Sequence, residues 1–195
     1  MPYPVSERNV AYICEQMLHV SWKPRLGTQA LDVLSLADSL LEQAFFLGAW
    51  HYLETKSREG GGPDRLTLNT SQVDFGGRSY LGLWLVEPWF GWYQTDKEWG
   101  GPSALMFVPQ LQSATKEITH DFGLFYGDDN GQPRWKLHAA IEVDGYAIHQ
   151  GRRPADELRD TGLPYKVLRL YEESDKPLDW FRKIVELDAR ARDAR

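Results

Sequence analysis

Ile141-Glu142-Val143-Asp144-Gly145-Tyr146-Ala147-Ile148-His149 sets two carboxylates and an imidazole around the end of one expected strand. Read at period 2, Ala140, Glu142 and Asp144 share one face while Ile141 and Val143 point into the core. Gly145 permits a sharp exit that turns His149 back towards the acids. Another acid, Asp121, sits on the strand-like run just before. Carboxylates gathered this closely repel one another and are commonly held by a cation or a shared proton. The stretch therefore points to metal-assisted chemistry.

Working outward, Asp121–Tyr126 and Leu137–Asp144 read as two strands joined by the turn-rich Gly127-Asp128-Asp129-Asn130-Gly131. Ala104–Val108 and Tyr165–Tyr171 read as further strands, with a short helix or turn around Pro154–Thr161. From Leu66 to Gln94 the residues are strand-like, with Gly76-Gly77 as a turn and Pro88 limiting any central strand. Upstream, Val10, Ile13, Met17 and Val20 recur at helical spacing and predict a helix over 6–20 with Ser6 as its cap. A second helical stretch is expected over 28–37, and Asp38 and Ser39 open a stronger helix to about Lys56. Gly60-Gly61-Gly62-Pro63 breaks the chain there. Ser174 or Asp175 caps a last helix with Leu178, Phe181, Ile184 and Val185 on its buried face, and the tail is expected to fray. This order gives one α/β (α+β) domain over 1–195, a mixed β-sheet flanked by helices.

At 195 residues the chain can bury a core without disulfides or structural metal. Its single cysteine, Cys14, falls at an apolar helical position and is expected to pack, not react. No charged-then-apolar leader opens the sequence, and no apolar run approaches the ~20 residues that span a bilayer. A soluble cytoplasmic protein without a membrane partner is expected. The net charge of −6 argues weakly against nucleic acid. Residues 150–195 are close to charge balance, so the acidic excess lies earlier and includes the clustered acids.

Glu142-Val143-Asp144-Gly145 with His149, Asp121-Phe122 upstream and Val167-Leu168-Arg169-Leu170 downstream resembles the small endonuclease-like domains related to very-short-patch mismatch repair nucleases. These belong to the PD-(D/E)XK, or restriction-endonuclease-like, superfamily. Ser39-Leu40-Leu41-Glu42 is similar to the Ser-x-x-Glu opening the family's first core helix, and Val108-Pro109-Gln110 to the segment before its acidic strands. The resemblance covers about 38–187. It makes 1–37 a helical N-terminal extension and 57–103 an aromatic, β-rich insertion. It implies that Asp121 and Glu142 are metal ligands, that Glu42 lies near the metal or its water, and that His149 is a ligand or proton carrier. Asp144 would complete the shell around Mg²⁺ or Mn²⁺, standing where the superfamily's lysine is absent. Such a cation would lower the pKa of a bound water and stabilise charge on a phosphodiester's leaving oxygen.

Plainer readings accompany each residue. Ser39-x-x-Glu42 is also a capping box. Asp121 also suits a turn before its strand, and His149 a loop. His120 and His138 match no motif. Arg152, Arg153, Arg159 and Arg169 suit phosphate contacts if they share a face with the acids, and solvated surface otherwise. Trp84, Trp89, Phe90, Trp92, Tyr93 and Trp99 suit sheet packing, or a surface that holds nucleic acid or a protein partner. Three functions follow: a Mg²⁺-dependent nuclease acting on DNA, a catalytically degenerate binding module on the same fold, and a metal-dependent hydrolase of a small phosphorylated molecule. The sequence does not specify an oligomeric state.

Overall fold

Six strands form one sheet in sequence order, each pairing with its neighbour along the chain. They are β1 (Thr67–Phe75), β2 (Arg78–Glu87), β3 (Ser103–Gln112), β4 (Thr119–Asp128), β5 (Arg134–Asp144) and β6 (Lys166–Tyr171). The first five run antiparallel, and β6 returns parallel to β5. The computed structural model describes residues 5–60, 62, 64–87, 103–128, 134–144, 158–171 and 176–184, with backbone alone at 86, 87, 103, 128, 134, 144 and 171. Gly76 and Gly77, at φ 58° and 76°, close the β1–β2 hairpin. Two successive left-handed residues match the twist of a tight hairpin, and only glycine adopts them freely.

Helices cover one face of the sheet. They are α1 (Glu7–Tyr12), α2 (Thr28–Leu34), the 20-residue α3 (Leu40–Glu59) and α4 (residues 177–184). Phe45 and Phe46 of α3 meet Phe107 of β3 edge-on, at centroid distances of 6.1 and 5.4 Å, and Phe181 of α4 reaches the same ring. Leu83, Leu85, Leu105, Phe122, Leu124, Ile141, Val143, Leu168 and Leu170 supply the sheet's share of this core. A smaller cluster of Val73, Met106, Val108, Leu111 and Phe125 occupies the opposite face. The mixed α+β architecture is thus the one expected, and Ile141 and Val143 point inward as the period-2 pattern predicts.

Three expectations are corrected. The helix predicted over 6–20 is α-helical only to Tyr12 and continues as a wider π-turn over Ile13–Met17. The second helix ends at Leu34, where the Ser35 hydroxyl bonds back to the Leu31 carbonyl at 2.7 Å. Such back-bonding competes with helix propagation. Of the expected insertion, the described part is the end of α3 followed by β1 and β2, which extend the common sheet. Residues 88–102, with most of the tryptophan-rich run, lie outside the described residues. Cys14 is buried, as predicted. No helix among the described residues is long and apolar enough to cross a membrane.

One backbone irregularity prepares the site. Leu105 and Phe107 face the helices and Met106 and Val108 the other side, so strict alternation would return Leu111 to the helical face. Gln110 takes φ 54°, a left-handed conformation uncommon outside glycine, and Leu111 joins the smaller cluster instead. His120 is the register partner of Leu111 on β4.

Candidate functional site

Glu142 lies on the sheet face opposite its neighbours Ile141 and Val143, near the C-terminal end of β5. It is only 7% exposed. A carboxylate withdrawn this far from water must be bonded or neutralised. Two donors meet it on the same oxygen: His120 Nδ1 at 2.7 Å and Arg159 Nη2 at 2.8 Å from Oε1. His120 is wholly buried, and its other nitrogen, Nε2, is 3.2 Å from the Tyr165 hydroxyl. Burial pushes the Tyr165 phenol above the usual range.

Asp121 follows His120 on β4. Continued one step past its last pair, Phe122 with Ile141, the β4–β5 register puts Asp121 level with Glu142. Asp121 Oδ2 accepts the backbone N–H of Val143 at 2.6 Å. The two acids singled out in the sequence are therefore cross-strand neighbours, although they lie 21 positions apart.

Arg159 enters from the helical residues 158–160. The Lys116 ammonium grips the carbonyls of Arg159 and Thr161 at 2.8 and 2.6 Å, pinning that turn to the β3–β4 loop. Arg169 of β6 donates through Nε and Nη2 to Asp160 Oδ2, at 3.1 and 2.8 Å. A weaker 3.4 Å contact links Arg159 Nε to Asp160. Of the four arginines expected to meet phosphate, the two described ones are thus ion-paired. Arg159 remains 37% exposed on its side chain, whereas Arg169 is nearly buried at 9%.

Glu42 is held differently. Its Oε2 accepts the Asp38 backbone N–H at 2.9 Å, and its Oε1 the Ser39 hydroxyl at 2.9 Å. Ser39 Oγ in turn accepts the Glu42 N–H at 3.1 Å, completing the reciprocal cap. Gln110 Nε2 adds a third bond, at 3.2 Å. Burial raises the Glu42 pKa, against the lowering effect of the bonds from Asp38 and Ser39. Glu42 is tied to the sheet through Gln110, next to the register partner of His120, and none of its contacts above is with Asp121 or Glu142.

His149, Arg152 and Arg153 lie outside the described residues, as does the side chain of Asp144. Sequence reasoning set His120 aside as matching no motif and did not consider Tyr165. The only signal for His120 was its position before Asp121, and nothing local linked it to a tyrosine 45 residues on. A cleft of about 770 Å³ lined by Val10, Cys14, Trp22, Lys23 and Leu26 shares no lining residue with these acids.

Among the described residues, no group of three or more His, Cys, Asp or Glu is arranged to hold a metal ion. Mg²⁺ is commonly bound by one or two carboxylates, with water and phosphate oxygens completing its octahedron. Two carboxylates on adjoining strands supply hard oxygen donors of the kind that requirement names. No family model, no curated protein and no solved structure matches this chain.

Proposed function

We propose that this protein is a Mg²⁺-dependent, endonuclease-like enzyme that hydrolyses DNA phosphodiester bonds, with Asp121 and Glu142 holding the cation. The observation that carries the proposal is the placement of Asp121 and Glu142 on adjoining strands, with Glu142 buried against His120 and Arg159. Even a paired buried carboxylate commonly adds no stability over an apolar side chain, so packing alone gives little reason for an acid there. The element order is compatible with the restriction-endonuclease-like arrangement that the motifs imply: α3, the antiparallel β3–β4–β5, then β6 parallel to β5.

The cation, when bound, would acidify a water and offset charge on the leaving oxygen. The chain's own groups would orient it: Asp121 is fixed by the Val143 N–H, and Glu142 by His120 and Arg159. Asp144, His149 and Glu42 complete the expected set on the sequence resemblance alone. Mn²⁺ would serve in the same position.

One observation favours the degenerate binding module instead. Arg159 and His120 already satisfy Glu142 Oε1 without a cation. Incubating the purified chain with supercoiled plasmid and single-stranded oligonucleotides, in Mg²⁺, Mn²⁺ or EDTA, separates the two. Metal-dependent cutting that Asp121→Ala and Glu142→Ala both abolish is the expected result. Plasmid and oligonucleotides left intact by the wild type, with no heat of Mg²⁺ or Mn²⁺ binding, would leave the binding module.

A further inference from the structure

His120 has no motif to recommend it, yet it is fully buried and bonded at both ring nitrogens. The direction of each bond can be derived from the partners. The Glu142 carboxylate can only accept, so the hydrogen of the neutral imidazole sits on Nδ1, 2.7 Å from Oε1. Nε2 is then the accepting nitrogen, and Tyr165 gives it its proton across 3.2 Å. Both donors, Tyr165 and His120, point towards Glu142.

The series is also rigid. The Tyr165 ring meets Phe75 edge-on at 5.8 Å and the His120 ring at 5.7 Å. The imidazole cannot rotate without breaking a bond at each nitrogen. Arg159 falls on the same oxygen as His120, from the opposite side of the sequence.

We infer that His120 is a positioning residue for Glu142. With Arg159 it ties down Oε1 and so aims Oε2 as the oxygen that meets a cation. This deepens the proposed function and rests on Asp121 and Glu142 being cation ligands. Outer partners of this kind fix the orientation of a metal-ligating side chain, and their loss typically weakens binding by about 10–100-fold.

The test is a calorimetric titration of the full chain with Mn²⁺, alongside thermal unfolding, for wild type, His120→Leu, His120→Asn and Tyr165→Phe. His120→Leu is expected to weaken Mn²⁺ binding by about 10–100-fold. His120→Asn returns a side-chain N–H near the Nδ1 position and is expected to recover most of that loss. Tyr165→Phe keeps the ring and frees Nε2, giving a smaller loss than His120→Leu. A purely structural histidine would lower the unfolding temperature while Mn²⁺ affinity stayed at the wild-type value, and asparagine would restore nothing. Wild-type affinity in folded His120→Leu overturns the inference. If that variant does not fold, unchanged affinity in Tyr165→Phe overturns it instead. A wild type that takes up no Mn²⁺ would sink the ligand role of Asp121 and Glu142, a different failure and one visible before any variant is compared.

Discussion

Glu42 and Glu142 are almost equally buried, at 6% and 7% exposure, and each accepts bonds from at least two donors. They differ in what donates. Glu42 is met by a backbone N–H, a hydroxyl and a carboxamide, all neutral and two of them within four residues. Glu142 is met by an imidazole and a guanidinium, brought from other elements 22 and 17 positions away. A helix start that needs its orphan donors satisfied explains the first arrangement completely. No element of secondary structure needs the second. Burial of an acid therefore says little by itself, and the charge and sequence distance of its partners say more.

Cleavage offers the largest contrast. Asp121→Ala and Glu142→Ala are each expected to lower metal-dependent plasmid cutting by about a thousandfold, since a Lewis-acid cation supplies several kcal/mol to such a barrier. Retention of cutting in either variant, measured under single-turnover conditions, would break the distinction between the two glutamates.

Stability follows at a smaller scale. Arg159→Ala removes a charged donor from a carboxylate that is nearly buried, but Arg159 itself is over a third exposed. The loss in urea unfolding should be about 1–2 kcal/mol, between the values for surface and interior pairs. Glu42→Ala should cost about 1 kcal/mol, as a lost capping interaction does.

The pH dependence of Glu42 sharpens the comparison further. Its pKa in the folded chain is raised above 4.5, chiefly by burial. A raised folded-state value contributes stability that is whole below the unfolded pKa and is lost as pH climbs through the folded one. Unfolding midpoints across that window should fall with rising pH in the wild type. In Glu42→Gln, which keeps an acceptor for Asp38, that component should vanish. The smallest effect concerns Cys14, whose thiol burial pushes up to about 11. At neutral pH an alkylating reagent should label it only after denaturation, and fast labelling of the native chain would contradict its packing role.

Much of this was legible locally. The alternation Ala140–Val143 gave the correct face for Glu142, and Ser39-x-x-Glu42 announced the cap now seen at α3. Gly76-Gly77 marked the hairpin because its turn chemistry is confined to two residues. Hidden from the sequence was whatever depended on a distant partner. The left-handed Gln110, which turns Leu111 to the other side beside His120, belongs to no pattern of hydropathy. Arg159 read equally well as a phosphate contact, because pairing with Glu142 arises only once the 158–160 turn is docked by Lys116. The break in the first helix at Tyr12 was likewise invisible, since Ile13 and Met17 keep helical spacing through the π-turn.

The most direct test of the central claim is an amide chemical-shift titration of the wild-type chain with Mg²⁺. Val143 is the natural reporter, because its N–H is held by Asp121 and it follows Glu142. The account predicts that the largest shifts fall at Asp121, Phe122, Glu142 and Val143, while the amides of Ser39–Gln43 at the start of α3 move least. Shifts centred on the start of α3, or none at Val143 at saturating Mg²⁺, would contradict it.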